Sequence, residues 1–151
     1  MKLYSQKLEL IAINTICNSS DEEVQTYVLS SLDASYFHDE ACAAAFKRVQ
    51  TVAQKKAILL SYTELTEDPA LSEDCRDVLR EAPNQRCKTM DKATRLVNQL
   101  SEYRKTRILY NMAKNISDCL QKDTVDIGEM LDGCTEALSK ARLSNDLVQL
   151  V

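Results

Sequence analysis

The last third of the chain carries the longest stretch in which apolar and polar positions recur with a helical period. Apolar residues recur close to every fourth position over residues 89–121, and a second such run covers residues 126–142. Side chains three and four positions apart share one face of an α-helix, so the pattern predicts two long amphipathic helices joined by a few turn residues. The apolar stripes are Leu96, Leu100, Ile108, Met112, Ile116 and Leu120, then Ile127, Met130, Leu131, Cys134, Leu138 and Ala141.

Shorter helices are predicted before this pair. Ser20 with Glu23, and Ser61 with Glu64, have the spacing of capping boxes, while Asp39 and Ser72 are suited to cap helix starts on their own. Pro69 and Pro83 close the segments that precede them. The predicted helices cover residues 2–17, 21–32, 40–55, 62–67 and 73–81.

These elements predict an all-α fold, a small orthogonal bundle of short helices followed by a long antiparallel helical hairpin. Two glycines and two prolines leave few of the turns that β-rich proteins need. We expect a globular bundle over residues 1–88, the hairpin over residues 89–142 and the start of a linker over residues 143–151. The predicted core includes Ile11, Val28, Phe37, Phe46 and Val49.

A hairpin of this length has apolar surface beyond its inner seam, so we expect a second copy or another domain to cover it. Arg104 interrupts the stripe, which is typical of a side chain that is paired or that extends to the rim of a contact. The predicted subunit interface is Leu96, Leu100, Tyr103, Arg104, Ile108, Met112, Ile116, Met130, Leu131 and Leu138.

The distribution of charged residues changes this interpretation for one segment of the chain only. The net charge of −4 disfavours a protein whose main task is to grip nucleic acid, yet basic residues outnumber acidic ones over residues 80–107. A basic run of this kind is most often a solvated helix face or a subunit contact. A surface that faces DNA or an acidic partner is the alternative.

The residues offer little chemistry. No phosphate-binding glycine loop is present, the six cysteines lack metal-knuckle spacing, and His38 has no recognisable nucleophile partner. We therefore expect no catalytic, cofactor-binding or metal-binding residue, and His38 to cap or pack beside Phe37. No apolar run is long enough to cross a membrane and residues 1–7 lack a signal-peptide core, so we expect a cytoplasmic protein without membrane contact.

The order of elements resembles the amino-terminal domain of DnaB-type replicative helicases. The resemblance covers about residues 8–142 and is carried by the segment from Leu32 to Phe46, the short element at Ser61, and the paired helices near Arg104 and Leu131. In that family a Phe precedes a polar helix start and an aromatic follows some nine residues later, here Phe37 and Phe46. The usual Pro-x-x-x-Glu-Ala-Glu opening is missing, which would suit a phage or plasmid relative.

The resemblance implies a non-catalytic collar of a six-subunit ring helicase. Its hairpins would pair into a trimer of dimers, and it would receive primase or a helicase loader. ATP, magnesium and most contact with single-stranded DNA would belong to a following RecA-like domain, outside these residues. Two alternatives remain open, the helicase-binding carboxy-terminal domain of a primase and a stand-alone phage adaptor or loader that mimics the collar.

Overall fold

The computed structural model describes residues 2–122 and 124–149, with the side chains of the last helix described as far as Arg142. This part of the chain is all-α, as the sequence predicts, and contains no strand. A 3-10 turn at Ala34–Tyr36, which was expected to be an irregular connection, lies between the second and third helices. The helices are α1 (Gln6–Asn18), α2 (Glu22–Ser31), α3 (Glu40–Lys56), α4 (Tyr62–Thr66), α5 (Glu73–Glu81), α6 (Met90–Leu120) and α7 (Ile127–Gln149).

Side chains at the helix starts satisfy backbone amides that have no partner within the helix. The predicted capping box of Ser61 and Glu64 is confirmed, and Asp39 and Ser72 cap α3 and α5 as expected. The predicted box at Ser20 is wrong. The Asp21 carboxylate instead accepts from the Glu23 amide at 2.9 Å, because the helix begins one residue later and Asp21 is the last extended residue before it.

The core is formed by α1 to α5, the 3-10 turn and the first part of α6. Four of the predicted core residues are buried, namely Val28, Phe37, Phe46 and Val49, whereas Ile11 is only partly covered and packs at the edge. The rings of Phe37 and Phe46 stack with their centroids 4.6 Å apart. Such an aromatic pair stabilises the core beyond the area that it buries.

Helix α6 belongs to both parts of the molecule. Its first turns supply Ala93, Leu96, Val97 and Leu100 to the bundle core, where each is at most 3% exposed. The bundle therefore extends past the predicted boundary at residue 88, since the side chains that complete its core come from the long helix.

Helix α7 extends further than the sequence pattern indicated. Residues 143–149, expected to begin a linker, continue α7 as helical backbone, and the predicted linker positions 150 and 151 lie outside the described residues. Ser144, Asn145 and Asp146 suggested a break, yet each is only mildly unfavourable inside a helix. Within the described residues, no helix is long and apolar enough to cross a membrane.

Candidate protein interface

The second half of α6 leaves the bundle and is covered only by α7. Arg107 is the last buried side chain; from residue 108 to 142, no described side chain is buried. We call this part of the two helices the distal pair. Apolar side chains here have one neighbouring helix each, so a large share of their surface stays in contact with water.

An open cleft of 970 Å³ lies between the two helices of the distal pair. Its floor is apolar and its rim carries charged and amide side chains, among them Asn111, Glu129 and Lys140. Lys140 forms an ion pair of 3.4 Å with Glu136 on this rim. The apolar floor consists of Ile108, Met112, Ile116, Cys119, Met130 and Cys134.

A second set of apolar side chains lies away from this cleft. Leu109 is 47% exposed, Leu120 64%, Ile127 61%, Leu131 59% and Leu138 37%. Isolated exposed leucines are ordinary, but a contiguous group marks an interaction surface. These five side chains form one contiguous group if both helices direct them to the same side of the distal pair.

Helix geometry places all five on one side. An α-helix turns by about 100° per residue. Viewed along the axis of α6, the side chains of Leu109 and Leu120 therefore lie roughly 90° from the centre of the residues that line the cleft. The rotation is in the sense in which the helix turns as the residue number increases. Ile127, Leu131 and Leu138 on α7 are rotated from the cleft in the same sense. For two packed helices that run in opposite directions, equal rotations lead to the same side of the pair. We call this side the apolar face.

The apolar face is poor in charge as well as rich in leucine and isoleucine. The residues interleaved with its five apolar side chains include Ala113, Ser117 and Thr135, with Tyr110 beside Leu109 at 43% exposure and the exposed Arg142 four positions after Leu138. A centre with few charges and an aromatic neighbour has the composition of protein interface cores. Most charged residues of the distal pair, among them Asp118 and Asp132, are rotated from the cleft in the opposite sense.

The root of the distal pair is fixed by two arginines. Arg107, 9% exposed, donates to the carbonyl oxygens of Leu3 at 2.9 Å and Ser35 at 3.0 Å. Arg104 donates from Nε to the Ser35 hydroxyl at 2.8 Å, and its guanidinium lies 5.2 Å from the centroid of the Tyr36 ring. These contacts join α6 to the chain start and to the turn before α3.

A buried carboxylate lies near this root. Glu9 is 1% exposed; its Oε1 accepts from the Asp39 amide at 3.0 Å, and its Oε2 has no hydrogen-bond partner in the structure. Burial raises the pKa of Glu9 to about 7, and the Asp39 amide and the positive charge of Arg107 limit the increase. A half-satisfied buried carboxylate disfavours its ionised form.

The structure divides the predicted interface residues into four groups. Leu96 and Leu100 are in the bundle core of the same chain, so they are not available to another subunit, while Tyr103 and Arg104 are half-buried near the root. Ile108, Met112, Ile116 and Met130 line the cleft. Leu131 and Leu138 lie on the apolar face.

The predicted interface did not include Leu109, Tyr110, Leu120 and Ile127, which the structure leaves exposed, although Leu120 and Ile127 were assigned to the helix stripes. The signal was present in the sequence. Each helix carries more apolar residues than one seam can accommodate, and a helical projection centred on residues 108, 112 and 116 leaves Leu109 and Leu120 on one flank.

The remaining titratable residues suggest no reactive centre. All six cysteines are free thiols, and burial raises the pKa values of Cys17, Cys42, Cys75 and Cys87. The His38 ring packs against Tyr4 with centroids 4.6 Å apart, a packing role with a different neighbour from the predicted Phe37. In the described part of the chain, no three metal-ligating side chains are grouped to hold an ion.

Comparison of the chain with protein-family models, with curated proteins and with solved structures gave no match.

Proposed function

We propose that this chain is a non-catalytic assembly and recruitment domain. In this proposal α6 and α7 form an antiparallel hairpin on an orthogonal helical bundle, and the apolar face of the distal pair binds the same face of a second copy. Contact between identical faces around a two-fold axis closes after two copies.

The observation that carries the proposal is the contiguity of the apolar face. Five large apolar side chains, each between 37% and 64% exposed, lie on one side of two helices that have no bundle beneath them. Burying what remains exposed contributes about 1 kcal/mol per side chain, or roughly 5 kcal/mol from each copy. This is comparable to the cost of association, so the contact would be specific and reversible.

The wider proposal follows the resemblance to DnaB-type helicases. The chain would form the collar of a hexameric replicative helicase in the cytoplasm of a bacterium or a phage-infected host, as a trimer of dimers. Primase or a helicase loader would bind the collar. A RecA-like domain elsewhere in the protein would hydrolyse ATP with magnesium and provide most contacts to single-stranded DNA.

A charge placed on the apolar face tests this proposal. Leu131→Glu would put a carboxylate in the proposed contact and should convert dimers to monomers in light scattering coupled to size exclusion. Asn115→Glu adds the same charge to an exposed position on the cleft side and should leave the dimer intact. Equal behaviour of the two variants would count against the apolar face as the contact.

A further inference from the structure

The basic run over residues 80–107 separates into two groups in the structure. One group is engaged within the chain: Arg80 pairs with Asp77 at 3.1 Å, Lys105 with Glu102 at 3.4 Å, and Arg104 and Arg107 contact the turn before α3. The other group lies on the loop that joins α5 to α6 and on the first turn of α6. It consists of Arg86, which also donates to the Asn84 side chain at 3.5 Å, and of Lys88 and Lys92. Arg95 belongs to neither group and is exposed further along α6.

These three cations line one open cleft of 590 Å³. Ile11 of α1, Cys87 and the amides Asn84 and Gln85 complete its lining, which contains no acidic side chain. Asp91, the one acidic residue over residues 85–95, is exposed and not part of the lining. Three like charges without an anion repel one another, so an anion in the cleft would be stabilising.

The loop that carries the cations is held in place by buried polar groups on α1. Asn14, 2% exposed, donates to the Asn84 side chain at 3.0 Å, and the fully buried Thr15 hydroxyl accepts from the Cys87 amide at 2.9 Å. Asn18 in turn donates to Asn14 at 3.0 Å. The backbone that carries the cationic side chains is therefore held in place before a ligand binds. This lowers the entropy lost on binding.

We propose that this cleft, the basic cleft, binds an acidic peptide segment of a partner protein. Carboxylates of the peptide would pair with Arg86, Lys88 and Lys92, and an apolar side chain of the peptide would contact Ile11. A peptide fits the lining better than single-stranded nucleic acid does, because no aromatic side chain is present on which a base could stack. The net charge of −4 also disfavours an extended polyanion.

This inference does not depend on pairing of the apolar face. The basic cleft lies at the start of α6, whereas the apolar face begins at Leu109, so a change in one leaves the residues of the other intact. A chain that stays monomeric could still bind the peptide.

The test measures fluorescence anisotropy of a labelled octapeptide of glutamate and leucine added to the full chain at low salt. The double variant Lys88→Glu/Lys92→Glu should weaken binding by about tenfold or more, since it reverses two of the three charges that meet the peptide. Lys47→Glu/Lys55→Glu makes the same change in net charge at exposed positions of α3 and should weaken binding much less.

Circular dichroism of each variant checks that the helices are retained. The milder Lys88→Gln/Lys92→Gln pair serves as a second variant and should weaken binding in the same direction. Peptide binding that is undetectable at low salt, or lost equally in both charge-reversal variants, would overturn the proposal. So would a labelled oligothymidine that binds more tightly than the peptide and is released by Lys88→Glu/Lys92→Glu, because the cleft would then be a nucleic-acid site.

Discussion

Arg107 on α6 donates a hydrogen bond of 2.9 Å to the backbone carbonyl of Leu3, a residue 104 positions earlier in the chain. The same guanidinium donates to the Ser35 carbonyl at 3.0 Å, so one side chain joins the start of the chain, the turn before α3 and the long helix. Arg107 lies where α6 leaves the bundle. The orientation of the distal pair relative to the bundle therefore depends on this residue.

Arg107→Ala should lower the free energy of unfolding by about 2–3 kcal/mol, because two carbonyl oxygens lose charge-assisted hydrogen bonds at a buried position. Urea unfolding followed by circular dichroism measures this loss. Arg95→Ala, at an exposed position of the same helix, should change stability by less than about 0.5 kcal/mol. Equal midpoints for the two variants would show that the contacts of Arg107 contribute little.

Glu9→Gln should remove a pH dependence of stability. Burial raises the pKa of Glu9 to about 7 in the folded chain, from an ordinary value of 4.5. The folded state therefore binds this proton more tightly than the unfolded state. The contribution of Glu9 to the free energy of unfolding is most favourable below pH 4.5. It is lost as the pH rises to about 7, a change of roughly 3 kcal/mol.

Urea unfolding of the wild type and of Glu9→Gln at several pH values from 4.5 to 8 isolates this contribution, because other groups affect both proteins alike. The stability of the variant relative to the wild type should increase with pH across this window. A constant difference between the wild type and Glu9→Gln would contradict a buried carboxylate that titrates near neutrality.

Ala57→Gly should stabilise the chain. Ala57 ends α3 in the left-handed conformation, with φ 55° and ψ 31°, where a β-carbon costs about 1 kcal/mol and glycine is free of this cost. Thermal unfolding should show a higher midpoint. Ala82→Gly, after α5 at an ordinary φ of −69°, should instead lower the midpoint. A lower midpoint for both variants would mean that the strain at Ala57 is negligible.

The sequence predicted local structure well because local signals determine it. Asp39, Ser61 and Ser72 are short polar residues placed just before apolar periodic segments, and each caps the helix that was expected there. Ser20 failed as a prediction because Asp21 beside it is an equally good cap, and sequence spacing alone does not choose between neighbouring caps. In the structure the backbone becomes helical at Glu22, so Asp21 and not Ser20 is the capping residue.

The exposure of each apolar stripe was harder to predict, because hydrophobic periodicity does not show which other element packs against that stripe. Leu96 and Leu131 belong to similar apolar patterns, yet Leu96 is 3% exposed in the bundle and Leu131 is 59% exposed on the distal pair. The difference arises from α1, α2 and the turn before α3, which pack on α6 only as far as Arg107. Such contacts between distant segments leave no signature within a single helix.

The central claim is that the apolar face containing Leu109 and Leu131 joins two copies of the chain. Sedimentation equilibrium over a wide concentration range tests it most directly, because it gives the mass of the unmodified chain in solution. We expect a reversible increase from one chain mass to two, and a chain with Leu109→Glu and Leu131→Glu that stays at one. A wild-type chain that remains strictly monomeric at the highest concentration would contradict it.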